Sequence, residues 1–245
     1  MKISVIVCAY NEEKYIGKTL ESISKSAGEE LLEIVVVNNA STDRTSEVAN
    51  RFPKVRVVNE TQKGLTKARQ AGLVSAKGDI LSYLDADTLV NKQWFDVLKK
   101  EFSQNSDLVC LSGPYIYYGL PNMESFFVRI WTNFWIWLWH WFIFRIAASK
   151  RGYVIMGGNF TAKREALLKA GGFDSSIAFY GEDTDIARRL SLVGRVKFIK
   201  EFAVQTSARR FESEGLIWTA VKYLANYLSV VFIKKPVTSS YSDIR

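Results

Sequence analysis

Cysteine and histidine are scarce in this sequence. Its 245 residues include two cysteines, Cys8 and Cys110, and a single histidine, His140. Both cysteines lie inside apolar runs, which predicts two buried thiols in a reducing compartment and not a disulfide-stabilised secreted domain. A single histidine with no paired cysteines excludes a zinc site made from these residue types.

The two common glycine-rich nucleotide-binding loops are also missing. The first apolar run continues into CAYNEEKYIG without a G-x-G-x-x-G pattern, and G-x-x-x-x-G-K-[ST] does not occur. These absences exclude a dinucleotide-type turn and a P-loop. The opening MKISVIVCAYNEE has one basic residue and a short apolar run. We therefore expect a first strand instead of a signal peptide, and a cytoplasmic protein.

Acidic residues are outnumbered. The sequence carries 33 lysines and arginines against 25 aspartates and glutamates, a formal net charge of +8. Such an excess predicts an anionic partner from one of three classes: a phosphate-rich ligand, a membrane surface or nucleic acid. The basic residues are dispersed, and the aromatic residues cluster with aliphatic ones instead of arginines. We therefore expect no nucleic acid.

The first half of the chain alternates between two patterns. Apolar runs rich in β-branched residues occupy 3–8, 34–37, 55–58, 80–84 and 108–111, and stretches with helical spacing separate them. This alternation predicts βαβ units and an α/β fold with a mostly parallel sheet. Ligands of such sheets bind at the carboxyl ends of the strands, which is where CAYNE, NNASTD and DAD follow.

Two acids end the fourth apolar run. In LSYLDADTLVN, Asp85 and Asp87 are two residues apart, so on an extended segment their side chains point the same way. Two converging carboxylates are costly unless a cation lies between them. Mg²⁺ or Mn²⁺ shared with a diphosphate would relieve the repulsion. The alternative is that both acids cap a helix beginning near Asn91.

Five motifs in order extend this interpretation. They are VIVCAYNEEKYIGKTLESI, EIVVVNNASTDRT, NETQKGLTKARQAGL, GDILSYLDADT and MGGNFTAKREALLKAGGFDSSIAFYGEDTDIARRLSLVGRVKFI. Together they resemble the family 2 glycosyltransferases, which are inverting enzymes with a GT-A fold. The resemblance implies a single GT-A domain over 1–245. Its nucleotide-sugar half would be 1–115 and its acceptor and catalytic half 152–211, with an aromatic amphipathic region over 116–151 and an amphipathic helix and tail over 212–245.

The resemblance also implies roles for individual residues. Asp183 would be the catalytic base with Glu182 beside it, and Asp87 would be the direct metal ligand with Asp85 assisting. A UDP- or GDP-sugar would contact Ala9, Tyr10, Glu12, Asn39, Ser41, Asp43, Arg69, Asp85, Ala86, Gly158 and Asn159. The alternative for Glu182 and Asp183 is an acid-rich helix N-terminus, and for Arg69 an exposed helix arginine. The family often has an acid pair where this chain has Asn38 and Asn39, which leaves the nucleotide base open.

A late histidine often completes the metal site in relatives. Here the corresponding stretch reads AVQTSARRFESEG, and His140 is far from it in the sequence. Either the metal keeps water or uses Thr206 or Ser207, or Arg209 and Arg210 neutralise the diphosphate. We favour the arginines as phosphate contacts.

Residues 125–149 hold five of the seven tryptophans of the chain. Their polar interruptions exclude a clean membrane span, and on a helical wheel most of these interruptions fall on one face. This composition predicts a helix at a membrane interface or at an oligomer interface, the alternative being a core helix. A second amphipathic helix over 215–236 ends in a basic pair. Together these helices predict a peripheral or monotopic protein on the cytoplasmic membrane face, with a lipid-linked or glycan acceptor.

Two rival functions stay open at this point. One is a soluble transferase whose aromatic helix joins the subunits of a homo-oligomer. The other is a non-catalytic module that binds nucleotide-sugars or scaffolds a membrane. The presence of Asp85, Asp87 and Asp183 argues against the second.

Overall fold

The computed structural model describes residues 1–119, 154–177, 179–233 and 237–238. The aromatic helix expected over 125–149 lies outside these residues. The described strands are β1 (Ile3–Ala9), β2 (Leu31–Asn39), β3 (Val55–Glu60), β4 (Ile80–Asp85), β5 (Thr88–Leu89), β6 (Leu108–Ser112), β7 (Tyr115–Tyr118), β8 (Asn159–Lys163), β9 (Arg195–Phe198) and β10 (Val204–Ser207). The described helices are α1 (Ile16–Ser26), α2 (Thr45–Ala49), α3 (Leu65–Ser75), α4 (Lys92–Gln104), α5 (Arg164–Lys169), α6 (Glu182–Ser191), α7 (Arg209–Glu214) and α8 (Leu216–Ile233).

A seven-stranded sheet runs in the order β3-β2-β1-β4-β8-β6-β9. Only β8 is antiparallel to its neighbours, β4 and β6, whereas the other pairs are parallel. The predicted α/β fold with a mostly parallel sheet is therefore confirmed. Each of the five apolar runs forms a strand, because a strand covered on both faces needs apolar side chains in both directions.

Helices cover both faces of this sheet. On one face α1 and α4 pack through Ile16, Leu20 and Trp94, and on the other α3 and α6 pack through Leu73 and Ile186. In α1 the buried residues recur at intervals of three and four, which is the spacing that puts them on one helix face. The sheet is thereby held between two apolar layers.

A second sheet of three strands, β5-β10-β7, closes over that edge. Strand β10 pairs with β5 so that Thr206 lies opposite Thr88. This pairing brings the start of α7, at Arg209, to the turn that carries Asp87. Segments more than a hundred residues apart in sequence therefore meet beside the acid pair.

The acids do not lie on one extended segment, so that part of the prediction is wrong. Strand β4 ends at Asp85, and Ala86 and Asp87 form a turn. The capping alternative is also wrong, because the side chain of Asn91 accepts the Trp94 N–H at 3.0 Å and caps α4 itself. Among the helices that the structure describes, none has the length and apolar character needed to cross a bilayer.

Candidate active site

A cleft opens at the carboxyl ends of β1 and β2, beside the start of α3. It is lined by Cys8, Ala9, Tyr10, Asn39, Lys63, Leu65, Ala68 and Phe179. The Lys63 ammonium stands 3.9 Å from the centre of the Tyr10 ring, which places positive charge at the mouth. Three residues predicted to bind a nucleotide-sugar, Ala9, Tyr10 and Asn39, are therefore brought together here.

Polar side chains predicted to contact the donor fasten the loops around this cleft. The Ser41 hydroxyl accepts the Asn11 N–H at 3.0 Å, and the Asp43 carboxylate accepts the Glu13 N–H at 3.0 Å. The amide of Asn39 donates to two backbone carbonyls and accepts the Gly64 N–H at 2.8 Å. These hydrogen bonds hold the loops in place and so shape the rim of the cleft.

An arginine joins two of the predicted acids. Arg209 donates to both carboxylate oxygens of Glu12, at 2.9 and 2.5 Å, and its Nε lies 3.0 Å from Asp87 Oδ2. The guanidinium also stacks 4.7 Å above the Tyr15 ring. Burial raises the pKa of Asp87 to about 6, since the opposing Arg209 charge is offset by the carboxylates of Asp85 and Glu12. This corner of the site thus concentrates negative charge around one cation.

A second arginine organises the other acids. Arg69, which is 3% exposed, forms an ion pair with the buried Glu182 and lies 4.0 Å from Asp85 Oδ1. The exposed-arginine alternative is therefore wrong. Burial raises the pKa of the Glu182 carboxyl, and the Arg69 charge opposes that rise. Asp85 raises the pKa of both Glu182 and Asp87, so it links the two groups of acids.

Gly157 and Gly158 let the backbone pass close to these charges. A Cβ at Gly157 would lie 2.7 Å from Arg69 Nη2 and 2.8 Å from Glu182 Oε1, and one at Gly158 would overlap the Asp85 carboxylate. The Gly158 N–H also donates to the Tyr115 hydroxyl at 2.7 Å. The glycines are thus required by the acids themselves.

Asp183 is the second residue of α6, directly after Glu182. Gly181 precedes the helix with φ at 82°, and Asp183 is partly buried. Its Oδ1 accepts the Thr184 N–H at 2.7 Å. Burial raises the pKa of Asp183, while the Arg69 charge and the Thr184 hydrogen bonds counteract this. Asp185 pairs instead with Arg188 and Arg189, as expected of a helix ion pair.

Comparison with known proteins identifies the family of the chain. The sequence pattern of glycosyl transferase family 2 matches residues 4–170. The chain belongs to that family. A relative from Haloferax volcanii, named glucosyl-dolichyl phosphate glucuronosyltransferase, is 24% identical over 196 residues, which cover 74% of this chain and 59% of the relative. This chain therefore spans less than two thirds of that curated relative.

Two solved structures share the fold. A mannosyltransferase from Pyrobaculum calidifontis, in complex with GDP-Man and Mn²⁺, superposes with a TM-score of 0.71 at 21% identity, over 95% of this chain and 63% of that one. Glucosyl-3-phosphoglycerate synthase from Mycobacterium tuberculosis, with Mn²⁺, UDP-Glc and phosphoglyceric acid, gives 0.64 at 20% identity, over 93% and 79%. The predicted GT-A fold of this glycosyltransferase family member is confirmed.

Burial argues against two of the predicted donor contacts. Asn159 is fully buried: its amide donates to the Gly113 and Phe202 carbonyls and accepts the Trp94 indole N–H, so it cannot reach a sugar. Ala86 is 3% exposed and packs in the core. Arg210 pairs with Glu214 at 2.9 Å, and its guanidinium lies 4.8 Å from the centre of the ring of Phe179, which lines the cleft, so its predicted phosphate contact stays a prediction.

The acids of this site fit a divalent cation that arrives with a diphosphate. Within the described residues, no cluster of three or more His, Cys, Asp or Glu is arranged to hold a metal. Mg²⁺ needs only one or two carboxylates when substrate phosphates complete its shell. Asp87, with the Thr206 hydroxyl 3.4 Å from its Oδ1, and Asp85 offer hard oxygen ligands of this kind.

Sequence reasoning missed several residues of the site. The Tyr118 hydroxyl donates to the Asp87 carbonyl at 2.8 Å, and Tyr115 receives the Gly158 N–H. Lys63 and Phe179 line the cleft. The signal for the tyrosines was the YIYY run at 115–118, whose alternation puts Tyr115 and Tyr117 on one side of β7 and Tyr118 on the other.

Proposed function

We propose that the chain transfers a sugar, with inversion, from a UDP- or GDP-sugar to an acceptor hydroxyl. The observation that carries this proposal is a group of acids beside the cleft: Arg209 pairs with Asp87, and Arg69 pairs with Glu182, the neighbour of Asp183, and lies 4.0 Å from Asp85. Acids on either side of a reacting sugar are what an inverting glycosyl transfer uses. The family assignment supports the same chemistry.

Asp183 is the proposed base. In an inverting transfer the acceptor oxygen attacks the anomeric carbon as the bond to the diphosphate breaks, and the acceptor proton goes to a carboxylate oxygen. Burial raises the pKa of Asp183, which improves its match to a hydroxyl proton near neutral pH. Glu182, held by Arg69, is proposed to orient the acceptor or the sugar.

The leaving diphosphate is proposed to meet two sources of positive charge. Arg209 lies at the corner with Asp87 and Glu12, and a guanidinium binds phosphate oxygens in a bidentate manner. Mg²⁺ or Mn²⁺ would be held by Asp87 with Asp85, and it would neutralise the charge that develops on the diphosphate. The Mn²⁺ complexes of the two solved structures with this fold support this part.

The proposed acceptor is a lipid-linked or membrane-proximal glycan. The name of the Haloferax volcanii relative includes dolichyl phosphate, which favours a lipid-linked acceptor here. The net charge of +8 favours a peripheral position on the cytoplasmic, anionic face of a membrane. The division into a donor half over 1–115 and an acceptor half over 152–211 is part of this proposal.

Thermal shift with a panel of UDP- and GDP-sugars, with and without Mn²⁺, tests donor binding. A ligand present at a hundred times its Kd stabilises the folded state by about 2.7 kcal/mol, which a melting experiment resolves. We expect one donor class to raise the melting temperature and Mn²⁺ to increase the shift. Asp183→Asn should keep this shift while losing transfer. Unchanged turnover in that variant would contradict the assignment of the base.

A further inference from the structure

The helix α8 turns an apolar face to the outside. Five of its apolar side chains are exposed: Trp218 at 61%, Val221 at 49%, Leu228 at 40%, Phe232 at 78% and Ile233 at 68%. At 3.6 residues per turn the first four fall within an arc of about 80° on the helix, and Ile233 at its last residue widens the arc to about 140°. The exposed side chains therefore form one continuous stripe, which we call the α8 stripe.

Polar residues of the same helix face inward. Thr219, Asn226 and Ser229 are 0%, 1% and 7% exposed. The Asn226 amide donates to the Lys222 carbonyl at 2.8 Å and to the Thr238 hydroxyl at 2.7 Å, and the Thr219 hydroxyl donates to the Gly215 carbonyl at 2.7 Å. A surface helix in water has the opposite arrangement, with apolar residues inside. The α8 stripe is thus built for an apolar surrounding.

We infer that the α8 stripe docks on the surface of an anionic lipid bilayer. Between positions 215 and 241 the sequence holds three lysines and no aspartate or glutamate. Two of these lysines, Lys234 and Lys235, directly follow α8 in the sequence. A helix with a tryptophan and bulky aliphatic residues on one face, flanked by lysines, lies in the plane of the headgroups.

The charge pattern favours lipid over a second copy of the chain. Glu214, the last acid before α8, is already held by Arg210 and Lys222, each at 2.9 Å. A two-fold contact between two stripes would put two copies of this basic, acid-free segment into one interface, and like charges at an interface are costly. Anionic headgroups offer the missing negative charge.

The side of α8 opposite the stripe packs towards the active site. Helix α8 packs against α6, which begins with Glu182 and Asp183. The Tyr223 ring lies 5.5 Å from the ring of Tyr180, two residues before Glu182. A membrane bound at α8 would therefore lie near the proposed base and present a lipid-linked acceptor to it. This advantage to catalysis rests on the proposed function, whereas lipid binding itself does not.

Vesicle flotation of the full chain tests the inference. We expect wild-type protein to float with phosphatidylcholine vesicles that contain phosphatidylglycerol, and to bind less to phosphatidylcholine alone and at high salt. The double variant Trp218→Ser with Phe232→Ser should bind the anionic vesicles at least about tenfold more weakly, because it removes the two largest side chains of the stripe.

A matched control removes exposed apolar side chains elsewhere. Val74 on α3 and Leu168 on α5 are 68% and 51% exposed, and replacing both with serine should leave vesicle binding unchanged. The inference is overturned if wild type does not float, or if the W218S/F232S variant floats as well as wild type. It is also overturned if analytical ultracentrifugation shows a dimer that this variant dissociates. Donor-induced thermal shifts in the same variants report on the proposed function separately.

Discussion

Replacing Arg209 with glutamine would test how the acid-rich corner is held. In the wild type the guanidinium makes two hydrogen bonds to Glu12 and one ion pair to Asp87. Glu12 is 1% exposed and Asp87 is 7% exposed, so water screens neither carboxylate well. Arg209→Gln removes the cation and leaves both carboxylates in place.

The expected cost follows from this burial. Removing one partner of a buried ion pair costs about 3–5 kcal/mol, because the remaining charge is left without compensation. The Arg209 side chain is 20% exposed, which points to the lower end, about 3 kcal/mol. For a domain of this size that corresponds to a fall in Tm of roughly 6–12 °C.

Mn²⁺ should reverse the loss in the variant. With Arg209 gone, the ion gains undivided access to the Asp87 carboxylate and replaces the missing positive charge. Melting curves without donor, recorded with and without Mn²⁺, should therefore show a larger stabilisation of Arg209→Gln than of wild type. Arg210→Gln is the matched control: Glu214 keeps Lys222 as a partner, so its Mn²⁺ response should equal that of wild type.

Two results would refute this reasoning. If Arg209→Gln unfolds within about 1 kcal/mol of wild type, the ion pairs carry little of the stability assigned to them. If Mn²⁺ stabilises the variant and wild type equally, Arg209 and the ion do not share Asp87.

Three further predictions concern the other acids. Burial raises the pKa of Asp183 above the ordinary aspartate value of about 4. Because the base must be deprotonated, kcat/KM should fall with decreasing pH before pH 4 is reached. A kcat/KM that stays constant down to about pH 4 would contradict the assignment. Gly158→Ala should lower kcat about tenfold or more, because its methyl group would overlap Asp85. Gly17→Ala is the control, because its Cβ would make ordinary contacts with Val48 at 3.6 Å and Phe52 at 3.9 Å, and equal activity of the two variants would count against the overlap. Arg69→Met should lower the free energy of unfolding in urea by about 3–5 kcal/mol, because the buried Glu182 carboxylate loses its partner. Adding Glu182→Leu should recover most of this loss. If the double variant is destabilised by the sum of the two single losses, the two side chains are not coupled as stated.

Local patterns determined much of the fold. The apolar runs at 3–8, 34–37, 55–58, 80–84 and 108–111 all became strands, because a segment buried on both faces must be apolar at every position. Helical spacing located α1 to α4 for the same kind of reason. The position of the acid pair also followed, because the carboxyl ends of parallel strands meet at one edge.

Pairings between distant segments required the tertiary structure. Glu12 and Arg209 are 197 positions apart, and nothing in the sequence distinguished Arg209 from Arg210. Strand β10, inserted between β5 and β7, decides that Arg209 faces Asp87, while Arg210 pairs with Glu214 inside α7. Asn159 was misassigned for the same reason, since its carbonyl partners come from Gly113 and Phe202.

The sequence by itself established an α/β chain with the motifs of a sugar-nucleotide enzyme, because backbone periodicity and motif order are local properties. It showed that 215–236 is amphipathic, but periodicity gives only the existence of two helix faces. Which face is buried depends on what packs against the helix. Only the tertiary structure revealed that Asn226 lies inside and Trp218 outside.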